Sequence, residues 1–358
     1  MLMSLDTLDP FSNASIWKSD DHSPTNPGAE KLSFSRAYTL SLSPQIIYSR
    51  SKLLTQLVSS KVYRHLEFQA VGSWWIYHAE HLSGEPAGSL LAAELKRIPN
   101  GREDVTFDRS IDLRAKRKLM KFLNFVVDYN NQSEIWEEYA DSPLEEFLSA
   151  RFQIPERLQT VALALTLSLD LPSKTIVRYS LPRIARHLSS IGVFGPGFGA
   201  VIPKWGGSSE IAQVACRAGA VGGAVYILGT GVARKEAVTS SGIEVELTNK
   251  EIVRTKFLVQ PSKPFPESQT SAASIVSKMI AVISSDLASL FVSVVEGGPT
   301  PAVSVVVFPS DSLLVNAEPQ PYPVYIMAHS SDTGECPIGQ CKFTRSPLTH
   351  VLEHCVMI

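Results

Sequence analysis

The sequence predicts a mixed α/β (α+β) fold with a helical domain inserted into it. Three observations carry this expectation. Strand-like text occupies the chain before residue 107 and returns after residue 191. Between them, from 108 to 190, apolar residues fall at helical spacing. The chain of 358 residues is 44% hydrophobic and only 19% charged, against ~25% charge in ordinary soluble domains. A chain of this length and composition can bury a sizeable core without disulfide staples.

Taken in order, the first 37 residues are rich in Ser, Asp and Pro and read as a mobile tail. Pro44 opens a helix-like stretch, with Ile46, Ile47, Leu53, Leu54 and Leu57 apolar. Val62 to Phe68 alternates, Gly72-Ser73 punctuates, and Trp74 to Tyr77 follows, which predicts a strand hairpin. The helical part begins near Asp108. Leu113 to Asn130 forms one long helix with a basic start and an apolar remainder. Ser142-Pro143-Leu144-Glu145 reads as a helix start with proline at the first turn. A third helix follows Pro155, and a fourth starts at Ser173 or Ser180 and ends near Ser190. A helix is then expected over Ser208 to Ala220. Strands are expected at Ala224–Leu228, Ile243–Leu247, Thr255–Val259, Met279–Ile283, Val303–Phe308 and Val324–Ala328.

Composition excludes several function classes. Lys plus Arg is 33 and Asp plus Glu is 35, for a net charge of -2, so no electrostatic footprint for nucleic acid exists. The strongest uncharged apolar run, Ala218 to Ala233, breaks off at Arg234 and holds five glycines. A bilayer span needs ~20 apolar residues. The start has no basic n-region followed by an apolar run, and four cysteines are too few for a disulfide scaffold of this size. A reducing cytosolic compartment is expected.

Most short motifs dissolve on inspection. Gly195-Pro196-Gly197-Phe198-Gly199-Ala200 imitates a dinucleotide fingerprint, but proline sits inside it and Pro203 stands where a helix should begin. Gly229-Thr230-Gly231 lacks a following helix. Both read as turns. Cys336, Cys341, His350 and His354 match zinc-finger spacing only loosely, so neither a metal nor a cofactor is expected, and no catalytic residue is assigned. Cys355-Val356-Met357-Ile358 has the form of a C-a-a-X prenylation ending, a form that also arises by chance.

One segment stands apart. Glu210, Gln213 and Arg217 are three and four residues apart and share one helix face. Glu210 and Arg217 are two turns apart, roughly 10 Å along the axis, too far to neutralise each other. Ile211, Val214, Ala215 and Ala218 lie opposite. Such a helix keeps a polar face for a partner.

These residues carry a resemblance. Pro203-Lys204-Trp205-Gly206, Glu210-Ile211-Ala212-Gln213, Arg217 and Ala220 to Leu228 resemble the Y-G-x-G-E-L-P-Q…R…A-x-Y-G-G-x-Y-x-L block of the Rab GDP-dissociation inhibitor and Rab escort protein superfamily. This copy has one extra residue before Glu210 and Gly222 in place of a tyrosine. Val62 to Phe68 is similar to the V-x-R-Y-L-E-F strand. Arg97-Ile98-Pro99, Asp104 to Phe107 and Lys116 to Leu123 resemble the escort branch, Rab geranylgeranyltransferase component A. The similarity runs over about 38–335. The glycine-rich first strand–turn–helix has no counterpart, and residues 341–358 match nothing in that pattern.

The resemblance implies an incomplete FAD/NAD(P)-binding-like domain over 38–107 and 191–340, a helical insertion over 108–190 and a divergent tail over 341–358. It implies a non-catalytic cytosolic protein. Such a protein binds GDP-bound Rab GTPases, presents them to the geranylgeranyltransferase α/β heterodimer and delivers the lipidated product by transient membrane contact. Rab-facing positions would be Glu210, Gln213, Arg217, Val225 and Ile227. The insertion would shelter prenyl lipid, with Leu119, Leu123, Val126, Val161 and Leu165 as lining, and Phe125 would contact the transferase. The alternatives are an inhibitor that only recycles prenylated Rabs, and a flavin or nicotinamide oxidoreductase, against which the missing fingerprint counts.

Overall fold

The computed structural model describes residues 33–41, 43–81, 90–99, 105, 111–238, 242–259, 276–293, 295–315 and 318–346. The tail over 1–32, His350, His354 and the Cys355–Ile358 ending lie outside them. Two compact units divide the chain: 30–217 with 274–358, and a smaller one that contains 218–273.

The larger unit is built on an eight-stranded mixed sheet. Its strands are β1 (Ile47–Tyr48), β2 (Phe68–His81), β3 (Leu90–Arg97), β4 (Ala200–Pro203), β8 (Met279–Ile283), β9 (Val303–Phe308), β12 (Val324–His329) and β13 (Cys341–Ser346), in the order β1-β4-β2-β9-β12-β13-β8 with β3 also on β2. The β2–β9 pair is parallel and the rest are antiparallel. The smaller unit holds the antiparallel meander β5 (Val232–Val238), β6 (Gly242–Leu247) and β7 (Ile252–Thr255). A two-residue pair, β10 (Leu314–Val315) and β11 (Glu318–Pro319), closes a hairpin.

β9 explains the centre of the larger sheet. Its Val-rich text suits a strand covered on both faces. Val303, Val305 and Val307 point into the core shared with the helices, and Val306 into a second cluster with Leu290, Phe291, Ala328 and Cys341. Ser304, buried between them, donates to Leu290 O at 2.5 Å.

Besides a single turn at Ser133–Trp136, the described α-helices are α1 (Lys52–Ser59), α2 (Leu113–Val127), α3 (Leu144–Phe147), α4 (Glu156–Thr166), α5 (Val177–Ser190) and α6 (Ser208–Val221). Asp112 caps α2 by accepting from the N–H groups of Arg114 and Ala115, at 2.8 and 3.0 Å. Ala115, Leu119, Phe122, Phe125 and Val126 then form its buried stripe. Phe122, Phe125, Phe147 and Phe152 pack as an aromatic cluster with ring centroids 5.2–5.9 Å apart. This helical layer shares one core with the sheet, and the expected border at 107/108 lies outside the described residues. At the border expected at 190/191 Gly199 passes under the end of α5, where a Cβ would come 2.6 Å from the Ser190 carbonyl carbon.

Several local expectations are corrected. Ile47–Tyr48 is a strand, because it pairs with β4, and the helix waits for the Ser51 cap, whose Oγ accepts from Leu54 N–H. Val62–His65 is a single 3-10 turn after left-handed Lys61. The hairpin is β2 with β3, and Gly72-Ser73 is a bulge inside β2 where the register against β9 shifts. Ala224–Leu228 is an exposed loop, since β5 begins only at Val232, and β7 ends at Thr255 where a strand was expected to start. Cys341–Ser346 is no tail: it is β13, paired on both sides by β12 and β8.

Candidate protein-interaction site

The turn Lys204–Gly207 joins β4 to α6 and is held from below. Trp205 has φ 76°, the left-handed region that bulky side chains rarely enter. Its N–H donates to Thr333 O at 2.7 Å. Its ring lies against Gly334, leaving no room there for a Cβ, and Gly334 itself has φ 75°, so only glycine suits the position. Lys204 places Nζ 4.7 Å from the Trp205 ring centroid and 2.8 Å from Glu67 Oε1. Trp205 is nevertheless 52% exposed.

The Thr333–Gly334 turn is rigid for a reason. Thr333 Oγ1 donates to Ser330 O at 2.8 Å, and Glu335 O accepts from Thr39 N–H at 3.0 Å. The Glu335 carboxylate is buried between Lys342 of β13, at 2.6 Å, and His329 of β12, at 2.5 Å. Burial pushes the Glu335 carboxyl up, but contact with His329 and the Lys342 charge outweigh it and hold it below the usual range. Burial lowers His329, with Glu335 partly offsetting it. Glu335 and Lys342 thus form a buried ion pair, with His329 against the other carboxylate oxygen.

α6 begins directly after the Lys204–Gly207 turn. The Glu210 carboxylate rests against Gly206, with Oε1 3.0 Å from where a Cβ would be. A carboxylate in the first turn also suits the helix dipole. Gln213 Nε2 donates to Glu210 Oε1 at 3.3 Å, and Arg217 follows one turn on. Neither Glu210 nor Arg217 enters an ion pair among the described residues. No residue of α6 is buried: Ile211 and Val214 are half-covered, and Ala215 and Ala218 are exposed. The helix is thus more open than its apolar face led one to expect. In the smaller unit Val225 is 83% and Ile227 52% exposed.

The other expected site residues lie in the helical layer. Leu119, Val126 and Leu165 are buried in the core, with Leu123 and Val161 half-buried against it. Phe125 is only 4% exposed and packs on Phe147 and Phe152. It is not a surface anchor, because its position shares the buried stripe with Phe122 and Val126. The outward side of α2 instead forms, with Val105, a groove of about 460 Å³ lined by Leu113, Lys116, Arg117, Met120, Lys121 and Asn124. Cys336 and Cys341 are buried thiols whose Sγ atoms contact Gln340 O and Asp286 O.

The profile of the GDP dissociation inhibitor family matches residues 13–291. The chain belongs to that family. It is 32% identical over 264 residues to the Rab proteins geranylgeranyltransferase component A of Saccharomyces cerevisiae, covering 72% of this chain and 40% of that protein. With the same component from Candida albicans the identity is 28%, covering 89% and 48%. In fold the family member resembles a Rab GDI from Plasmodium falciparum, with a TM-score of 0.61, 16% identity, and coverage of 88% of this chain and 68% of that one. This agrees with the mixed α/β fold. The chain spans less than half the length of the two fungal relatives. Among the described residues no helix is long and apolar enough to cross a membrane.

Spacing alone put Glu210, Gln213 and Arg217 on one helix, and α6 bears that out. Spacing missed the support beneath them. Nothing in the sequence announces a left-handed tryptophan or the Glu335–Lys342 pair.

Proposed function

We propose that this chain is a non-catalytic Rab escort protein: it binds GDP-bound Rab GTPases, presents them to the geranylgeranyltransferase heterodimer and hands the lipidated product to membranes. One observation carries the reading. α6 carries the Glu210 carboxylate, the Gln213 amide and the Arg217 guanidinium on one face, with neither charge in an ion pair among the described residues, on a turn anchored by a buried ion pair. A face rigid at its base and unsatisfied at its tips suits a charged protein surface. The naming of the fungal relatives as component A favours the escort role over simple recycling. Exposed Val225 and Ile227 are proposed as further apolar contacts.

The prenyl chain is assigned to the helical layer. Burying ~0.8 kcal/mol per methylene, a 20-carbon lipid needs a deep apolar cleft, and the helical layer must open around Leu119, Leu123, Val126, Val161 and Leu165 to offer one. The transferase is assigned to the outward side of α2 rather than to Phe125. The deciding experiment exchanges the two charges, Glu210→Arg with Arg217→Glu, and titrates a GDP-loaded Rab. Binding is expected to weaken by about 2–5 kcal/mol with the melting temperature unchanged. Equal affinity in the variant sinks the reading.

A further inference from the structure

Trp205 holds a left-handed backbone and is left half in solvent. A left-handed backbone is unfavourable for any bulky L-residue. Here it is imposed by the Thr333 carbonyl, the Gly334 backbone and the Lys204 ammonium. Strain of this kind persists only where the surroundings over-determine it, and it gathers at working surfaces. A residue needed only for packing would be buried, as Trp74 is. The Trp205 indole N–H makes no hydrogen bond among the described residues, unlike those of Trp75 and Trp136, which donate to Leu290 O and Tyr129 O. Beside it, Gly206 carries the Glu210 carboxylate.

We infer that Trp205 is the aromatic anchor of the α6 face. It inserts into an apolar patch on the bound GTPase and gives its indole N–H to an acceptor at the edge of that patch, while Glu210 takes a neighbouring basic group. The inference rests on the proposed GTPase-binding reading and adds a contact to it. The chemistry suits the residue: tryptophan offers a large rigid surface with one polar tip, the usual make-up of an interface hot spot. Pre-setting the ring in its bound position before the partner arrives removes an ordering cost from association.

The test uses the full chain, a GDP-loaded Rab, and three variants. W205G relieves the left-handed backbone and deletes the ring; W205F keeps an aromatic; E210R probes the α6 face separately. The inference expects W205G to melt no lower than the parent yet to bind at least about tenfold more weakly. It expects W205F to recover most of the affinity. Trp205 is also the one exposed tryptophan among the described residues, so adding the Rab should shift tryptophan emission to shorter wavelength in the parent and not in W205F. If E210R weakens binding and W205G does not, Trp205 is no anchor and the GTPase reading stands. If neither variant weakens binding, or the parent binds no Rab, that reading fails and takes the inference with it. A marked fall in melting temperature in both W205G and W205F overturns the inference as well, because the ring is then a packing element of the turn.

Discussion

Lys342 Nζ lies 2.6 Å from Glu335 Oε1, and neither side chain reaches solvent. The two residues flank the turn after β12 and the start of β13, so the pair ties a strand to the turn that carries Gly334 and, through it, Trp205. His329 sits on the other carboxylate oxygen, off the alignment of a linear hydrogen bond. A buried pair of this kind gives little net stability against an apolar replacement, but half of it is costly.

Glu335→Gln strands the Lys342 charge and is expected to lower unfolding free energy by about 3–5 kcal/mol. The double variant Glu335→Gln with Lys342→Met should recover part of that loss, since no charge remains buried. Urea unfolding of the two chains measures the difference. A single variant as stable as the parent shows that the pair is solvated.

His187 sets a pH dependence. It is buried between Tyr48 and Trp74, its ring centroid 4.8 Å from that of Trp74, and burial holds its imidazole down at about 4. A folded value below the unfolded one, about 6.5, means stability that is complete above pH ~6.5 and lost as pH falls towards 4. At ~1.4 kcal/mol per pH unit the loss from this group is about 3 kcal/mol. His329, lowered in the same direction, adds to it. Replacing His187 by Asn should flatten the fall in urea midpoint between pH 7 and pH 4.5, and an unchanged slope counts against a neutral buried imidazole.

Phe125→Ala removes a ring from the aromatic cluster around Phe147 and Phe152. The expected cost is about 3–5 kcal/mol of stability, read as a lowered melting temperature. Transferase capture that fails while the melting temperature holds would restore Phe125 to the surface.

Leu123→Arg and Val161→Arg place a guanidinium at the two half-buried positions of the helical layer. The long stem can reach water, so folding should survive. Binding of a fluorescent geranylgeranyl peptide should drop at least about tenfold, a loss of ~1.4 kcal/mol. Equal binding by both variants removes the lipid from this layer.

The helical layer was legible in the text because its information is local. Leu119, Phe122 and Val126 repeat at the helical period, and Pro143 and Pro155 mark starts that the backbone obeys within a residue or two. β9 and β12 were legible too, since short runs rich in β-branched and aromatic residues between turn signals have few other uses. The polar face of α6 followed from spacing alone. What the text could not show depends on partners distant in sequence. Ile47 becomes a strand only because Val201 lies beside it, and the unremarkable Cys341–Ser346 becomes one because β8 and β12 stand on either side. Phe125 reads equally as surface anchor or core until Phe147 and Phe152 close over it. Trp205 takes its left-handed backbone from a carbonyl and a glycine more than 120 residues away, at Thr333 and Gly334. Periodicity is written into neighbouring residues, so sequence determines which segments coil and which face is apolar. Pairing, burial and strain are properties of surfaces in contact, and only the folded chain brings those surfaces together.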